Sequence, residues 1–146
     1  MFSGSHDHVL DEKGRTSLPK DFRDLLAAAH GDGEPPWLTA FQNCLAIYPA
    51  DEFQRIRAQL TGRPLDAKLQ RVKRLVIGNA IPCTFDKQGR IVIPPSLRRW
   101  AGLDRDIVFT GVDNAIEIWD RERHIAELER ARDDFFELTS DLDPST

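Results

Sequence analysis

The sequence predicts an α+β fold built from two tandem β-β-α-β-β units, and three observations carry that prediction. First, the stretch from Asp11 through Gly14 and Arg15 to Pro19 recurs 75 positions later from Asp86 through Gly89 and Arg90 to Pro94, with Arg23 matched by Arg98. Second, in both copies a helical spacing of apolar residues follows the proline: Phe22, Leu25 and Leu26, then Leu97, Trp100 and Ala101. Third, Asn43 to Tyr48 parallels Asn114 to Trp119 at a shorter offset, so the first copy holds about four extra residues, placed in 31–36. A long fixed period of this kind marks a repeated structural unit. At 146 residues, 40 % hydrophobic and 30 % charged, the chain fits one packed domain or two very small ones.

Element by element, a strand at 8–10 leads into the turn Asp11–Arg15 and a second strand at 15–18, read together as a hairpin. Asp accepts backbone N–H groups in such a turn, and Gly14 reaches positive φ without penalty. Pro19 suits the first turn of a helix. Strands at 37–41 and 44–48 flank Gln42-Asn43. Helices follow at 51–60, with Asp51 as N-cap, and at 66–77, with Leu69, Val72 and Val76 on one face and Gly78 as its stop. The second copy repeats the scheme: strands at 82–85 and 90–93, a helix after Pro94-Pro95 ending at Gly102, and strands at 106–112 and 115–119 around Asp113-Asn114. A last helix spans 121–138 with Ile125, Leu128, Ala131 and Phe135 as its apolar stripe, and 141–146 is expected to fray. A four-strand unit of this size does not hold itself together, so the two are expected to pack as one pseudo-twofold domain.

Net charge is −4, but its distribution is uneven. Residues 120–146 carry four Lys and Arg against nine Asp and Glu, which leaves the body of the chain close to neutral. The longest apolar runs are five residues, far short of the roughly 20 that a membrane helix needs. No signal-peptide pattern opens the chain, and a cytoplasmic location is expected. Cys44 and Cys83 form no CxxC pair and suggest no disulfide framework.

The two DxxGR turns are the sharpest chemical feature. Arg15 and Arg90 stand just past each tip and Lys13 adds a second cation. Such a turn can aim a guanidinium at a phosphate or at guanine O6 and N7 in a major groove. The alternative is that both arginines salt-bridge Asp11, Asp86 or another subunit. Lys68, Arg71, Lys73 and Arg74 form a basic cluster, read as a solvated helix face or an attractor of phosphate. His6 and His8, with Asp7 and Asp11 nearby, lack a third metal ligand at fixed spacing and read as an exposed strand. No GxSxG, phosphate-loop or HExxH pattern is present, so no catalytic residue is assigned and no enzyme is expected.

The tandem DxxGRxxxP motifs, the Met1-Phe2-x-Gly4 start and the segment Ile116-Glu117-Ile118-Trp119-Asp120 resemble the MraZ family over about residues 1–138. That resemblance implies SpoVT/AbrB-type swapped-hairpin domains at 5–51 and 81–124, forming a barrel-like core, with a helical linker at 52–80 and a C-terminal helix and acidic tail at 125–146. It implies a bacterial transcriptional regulator, mostly a repressor, that binds short direct repeats in the promoter of the division and cell-wall gene cluster containing its own gene. Its expected partners are double-stranded DNA and other copies of itself, in a nucleoid-associated ring of about eight subunits. No cofactor, metal, membrane or small-molecule substrate is expected. Carried over by motif, Lys13, Arg15 and Arg90 contact DNA, while Asp11, Gly14, Asp86 and Gly89 shape the turns. Thr16-Ser17 stands where the family is more apolar, and Gln88 replaces the first motif's Lys13, so the two turns are expected to contribute unequally. An antitoxin-type module that masks a partner protein, and an enzyme using the cluster from His6 to Asp11, are the other readings.

Overall fold

The strands that flank each DxxGR turn do not pair with each other; they pair with strands of the other repeat. This corrects the local hairpin expected at each motif. The computed structural model describes residues 1–30, 33–64 and 66–141. Its elements run β1 (Phe2–Val9), β2 (Arg15–Ser17), α1 (Lys20–His30), β3 (Trp37–Phe41), β4 (Cys44–Tyr48), α2 (Ala50–Thr61) and α3 (Ala67–Val76). The second half adds β5 (Ile81–Pro82), β6 (Arg90–Val92), α4 (Pro95–Ala101), β7 (Asp106–Asp113), β8 (Ile116–Asp120) and α5 (Arg121–Thr139).

Six strands form one sheet in the order β1-β7-β8-β4-β3-β5, and β2 pairs with β6 in a separate ribbon. Every pairing is antiparallel. Exchanging the first repeat's strands for their counterparts in the second returns the same order, so a pseudo-twofold axis passes between β4 and β8. Three of the sheet's five pairings cross between repeats, and so does the pairing within the ribbon. The fold is α+β, as expected, with the two repeats interlocked in one core.

Burial explains the exchange. One sheet face packs against the ribbon and helices α1 and α4, where Leu18, Phe22, Ile91, Ile93, Leu97 and Phe109 are almost fully enclosed. The opposite face is covered unequally. Helix α2 buries Phe53 against Trp37 and Tyr48, with the Trp37 ring stacked at 5.1 Å. Helix α5 begins beside β7 and β8, yet none of its described residues is buried. Ile125, Leu128, Phe135, Phe136 and Leu138 are all exposed, so the apolar stripe of this helix is not core within this chain.

Several boundaries differ from expectation for physical reasons. β1 begins at Phe2 rather than residue 8, because eight consecutive pairings with β7 extend the strand through the polar and glycine residues 3–7 to the buried Phe2. β5 keeps only two residues of ladder. Pro49, not Asp51, precedes α2, and the Asp51 carboxylate accepts from the Glu52 N–H inside the first turn. Asp66 and Asp120 do cap α3 and α5, accepting from the Leu69 and Arg123 N–H groups. On α3, Leu69 is buried but Val72 is exposed. The turns at Asn43 and Asp113 hold φ of 59° and 79°. Residues 31 and 32, within the expected insertion, and residues 142–146, within the expected frayed end, lie outside the described residues.

Thr16 lies opposite Ile91 at the centre of the ribbon, is 2 % exposed, and its hydroxyl has no hydrogen-bond partner among the described residues. An unmet buried hydroxyl costs about 1–3 kcal/mol. Thr16→Val is nearly isosteric and removes it. We expect a stabilisation of about 1 kcal/mol, read as a higher urea midpoint at unchanged m-value; an unchanged or lower midpoint would show that the hydroxyl is satisfied in solution.

Candidate nucleic-acid interface

Both DxxGR turns close by the same set of hydrogen bonds. The Asp11 Oδ1 accepts from the Lys13 and Arg15 backbone N–H groups at 2.9 and 2.8 Å, and its Oδ2 accepts from Arg15 Nε at 2.7 Å. Asp86 repeats this with Gln88 and Arg90 N–H at 2.8 and 2.9 Å and with Arg90 Nε at 2.8 Å. The Gly14 and Gly89 N–H groups donate to the Asp11 and Asp86 carbonyls, both at 3.0 Å. Their φ values of 80° and 75° belong to the left-handed region that glycine enters freely.

Each carboxylate is thus held by two backbone donors and one guanidinium. The backbone bond from Arg15 is the chief reason the Asp11 carboxyl titrates below its ordinary 3.8, and the bond from Arg90 does the same for Asp86. Both arginines therefore make the ion pair considered as an alternative. The pairing uses only Nε, and among the described residues no hydrogen bond engages the Nη1 or Nη2 atoms of either side chain. Both side chains remain about one-third exposed, at 36 % and 34 %. The aspartates orient the guanidiniums and leave their outer edges open.

The ribbon adds a second constraint. In β2 and β6 the middle residues, Thr16 and Ile91, point inward, so Arg15, Ser17, Arg90 and Val92 share the outward face. Arg15 lies opposite Val92 and Ser17 opposite Arg90. Two residues of strand rise and one interstrand step put the two arginine Cα atoms roughly 8 Å apart. Val92, 58 % exposed, stands beside Arg15 on this face.

All seven residues singled out in the sequence therefore belong to one ribbon and its two turns. Lys13 is exposed at the first tip, while Gly14 and Gly89 are buried beneath their tips. Sequence reasoning passed over Lys87, which is exposed at the second tip where the first repeat has Glu12. It also passed over Ser17 and Val92; strand alternation with Thr16 and Ile91 inside was the signal available for them. Two open grooves flank the turns. One is lined by Asp11, Glu12, Arg98 and Arg99, the other by Arg23, Asp24, Asp86 and Lys87.

The remaining candidates stay apart from this face. His6 and His8 set their rings edge-on to Phe22 and Phe109. Among the described residues no three His, Cys, Asp or Glu side chains gather as a metal site would require, and no helix is long and apolar enough to cross a membrane. Lys68, Arg71, Lys73 and Arg74 lie on α3, with no ion pair among the described residues. Cys44 and Cys83 are free and buried, and burial pushes the Cys83 thiol up to about 12.

Comparison with known proteins gives a consistent picture. A family model described as "MraZ protein, putative antitoxin-like" matches twice, over residues 1–75 and 76–143. Proteins named "Transcriptional regulator MraZ" are similar along most of the chain. The one from Lachnoclostridium phytofermentans is 44 % identical over 124 residues, covering 84 % of each chain. The one from Salinispora arenicola is 41 % identical over 145 residues, covering 99 % of each. The one from Pediococcus pentosaceus is 36 % identical over 143 residues, covering 97 % of this chain and 96 % of that protein.

The turn chemistry sets a pH limit. Because Asp11 and Asp86 are held below 3.8 in the folded state, the support they give is complete above 3.8 and is lost as pH falls through their lower folded values. Carboxyl-detected NMR titration is expected to place both midpoints under 3.8, with the Arg15 and Arg90 amide signals moving in step. A midpoint at 3.8 or above would mean that the turns are open in solution.

Proposed function

The chain belongs to the MraZ family, and on that premise we propose that it is a transcriptional regulator that binds double-stranded DNA through the outward face of the β2–β6 ribbon and its two turns. The observation that carries this reading is the geometry of Arg15 and Arg90. Each is fixed through Nε by its own aspartate, with its outer nitrogens free on one exposed face. A two-stranded ribbon fits the major groove, where a guanidinium aligned in this way meets guanine O6 and N7 or a phosphate. Lys13 and Lys87 at the tips add charge for the phosphate backbone.

The face is not symmetric. Arg15 stands beside Val92 and Arg90 beside Ser17, and the tips pair Lys13 against Gln88 and Glu12 against Lys87. A reader with two unlike ends selects a box with direction. That agrees with short direct repeats, rather than palindromes, as the target. Val92 offers a methyl surface that suits a thymine methyl group. Acting in the cytoplasm on nucleoid DNA, the bound protein represses the promoter of its own division and cell-wall gene cluster by denying it to polymerase. No cofactor or small-molecule substrate enters this scheme.

One ribbon makes few contacts, so several must act together. The exposed apolar stripe of α5, from Ile125 to Phe136, supports association of copies, and we take a ring of about eight as the working assembly. Linked ribbons on consecutive boxes raise the effective concentration of each. A second reading, a module that masks a partner protein, is favoured by the words "antitoxin-like" in the family description together with that same stripe. It predicts a stoichiometric protein partner and no DNA selectivity.

Fluorescence anisotropy on DNA upstream of the chain's own gene, beside scrambled DNA and across a salt series, tests the proposal. Arg15→Ala is expected to remove about 1–3 kcal/mol of specific binding while the assembly survives. Lys13→Ala should weaken all sequences alike and lower the salt slope by about one. Equal, weak binding to both DNAs by the parent protein, or full affinity in Arg15→Ala, would sink the ribbon reading.

A further inference from the structure

The two arginines that share a repeat position outside the turns, Arg23 on α1 and Arg98 on α4, lie against the glycines of the opposite repeat. A Cβ built on Gly14 would come within 3.0 Å of both Cζ and Nη1 of Arg98. One built on Gly89 would come within 2.7 Å of Cζ and 3.0 Å of Nε of Arg23. At Gly89 the Arg23 guanidinium fills the space where any other residue would begin its side chain; at Gly14 the Arg98 guanidinium shares that space with the Ile93 carbonyl oxygen, which lies 2.7 Å from the same point. Neither arginine has a carboxylate partner among the described residues, and both are half-buried. Arg23 Nε donates to the Leu18 carbonyl at 3.1 Å, and the Leu18 N–H donates in turn to the Gly89 carbonyl at 3.2 Å. In the other direction the Ile93 N–H donates to the Gly14 carbonyl at 2.8 Å.

We propose that Arg23 and Arg98 are positioning residues that act crosswise, each holding the DNA-contacting turn of the other repeat. Helix α4 thereby supports the turn that carries Lys13 and Arg15, and α1 supports the turn that carries Lys87 and Arg90. The grooves beside the turns have the same cross-repeat composition. Arg98 shares one with Asp11 and Glu12, and Arg23 shares the other with Asp86 and Lys87. A planar, rigid guanidinium suits this role because several of its atoms approach one glycine together, whereas a lysine ammonium is a single compact point charge. Within this chain the arginine is retained in both copies, whereas the tip residues it supports have diverged to Lys13 in one and Gln88 in the other.

The proposal rests on the turns being the DNA contacts, and the test separates the two. Hydrogen exchange with mass spectrometry on the full-length assembly compares Arg98→Gln with Arg23→Gln. Arg98→Gln is expected to speed exchange at residues 11–15 about tenfold and leave 86–90 unchanged, and Arg23→Gln to do the reverse. Acceleration in the variant's own repeat, equally in both turns or in neither overturns the crosswise support. Should either Gln variant fail to assemble, the Lys variants, which keep the charge and lose the plane, are followed through the same peptides; crosswise acceleration again upholds the support, and any other pattern again overturns it. On DNA, Arg98→Gln should lower affinity about tenfold, add less than its full effect to Arg15→Ala, and add fully to Arg90→Ala. Full additivity with Arg15→Ala would make Arg98 an independent DNA contact and not a positioning residue. Crosswise exchange with DNA affinity untouched would uphold the support and defeat the DNA-contact reading instead.

Discussion

The exchange of backbone hydrogen bonds between the two repeats is the constraint on which the rest of the structure depends. The Leu18 N–H donates to the Gly89 carbonyl and the Ile93 N–H to the Gly14 carbonyl, so each turn is anchored by the strand that follows the other. The ribbon between these bonds is only three residue pairs long. Such a ribbon is not stable in isolation. Its stability comes from what lies beneath: Leu18, Ile91 and Ile93 are packed against Phe22, Leu97 and the inner face of the sheet. The hydrophobic core therefore fixes the ribbon, the ribbon fixes the glycines, and the glycines fix where Arg15 and Arg90 begin.

A division of labour follows from the aspartates. An arginine free in solvent loses much side-chain entropy when it meets a ligand. Here Asp11 and Asp86 have already fixed the Nε end, so less freedom remains to be lost on binding. The ion pairs, being surface-exposed, contribute little to folding stability. Their value lies in orientation. The alternative considered from the sequence, in which these arginines merely pair with their aspartates, and the DNA-contact reading are thus compatible, because one guanidinium has an inner and an outer edge.

Much of this was legible in the sequence. The repeat fixed which strands, turns and helices are equivalent, and the limits of β3 and β4 follow from their apolar runs between turn residues. What was not legible has a common cause. Residues 3–7 are Ser, Gly, Ser, His and Asp, with no apolar alternation of their own, and the pairing with β7 makes them a strand. The hairpin expected at each motif failed because a local pattern cannot say whether a strand's partner is its neighbour or a strand of the other repeat. The match of Arg23 with Arg98 was visible, but its meaning was not, since it depends on a glycine of the other repeat. The apolar stripe of α5 is present as read, yet burial within the chain does not follow from it.

The pairing of β1 with β7 has a consequence for synthesis. Phe2–Val9 leaves a ribosome roughly 100 residues ahead of its partner Asp106–Asp113. At about 5–20 residues per second, several seconds separate them. During that interval β1 and β2 have no ladder to join, and Leu18 and Phe22 have no opposite wall. Topologies rich in such long-range closures fold slowly and leave strand edges open to other chains. A polar β1, with Ser3, Ser5 and Asp7 on its exposed side, is a poor template for unwanted pairing while it waits.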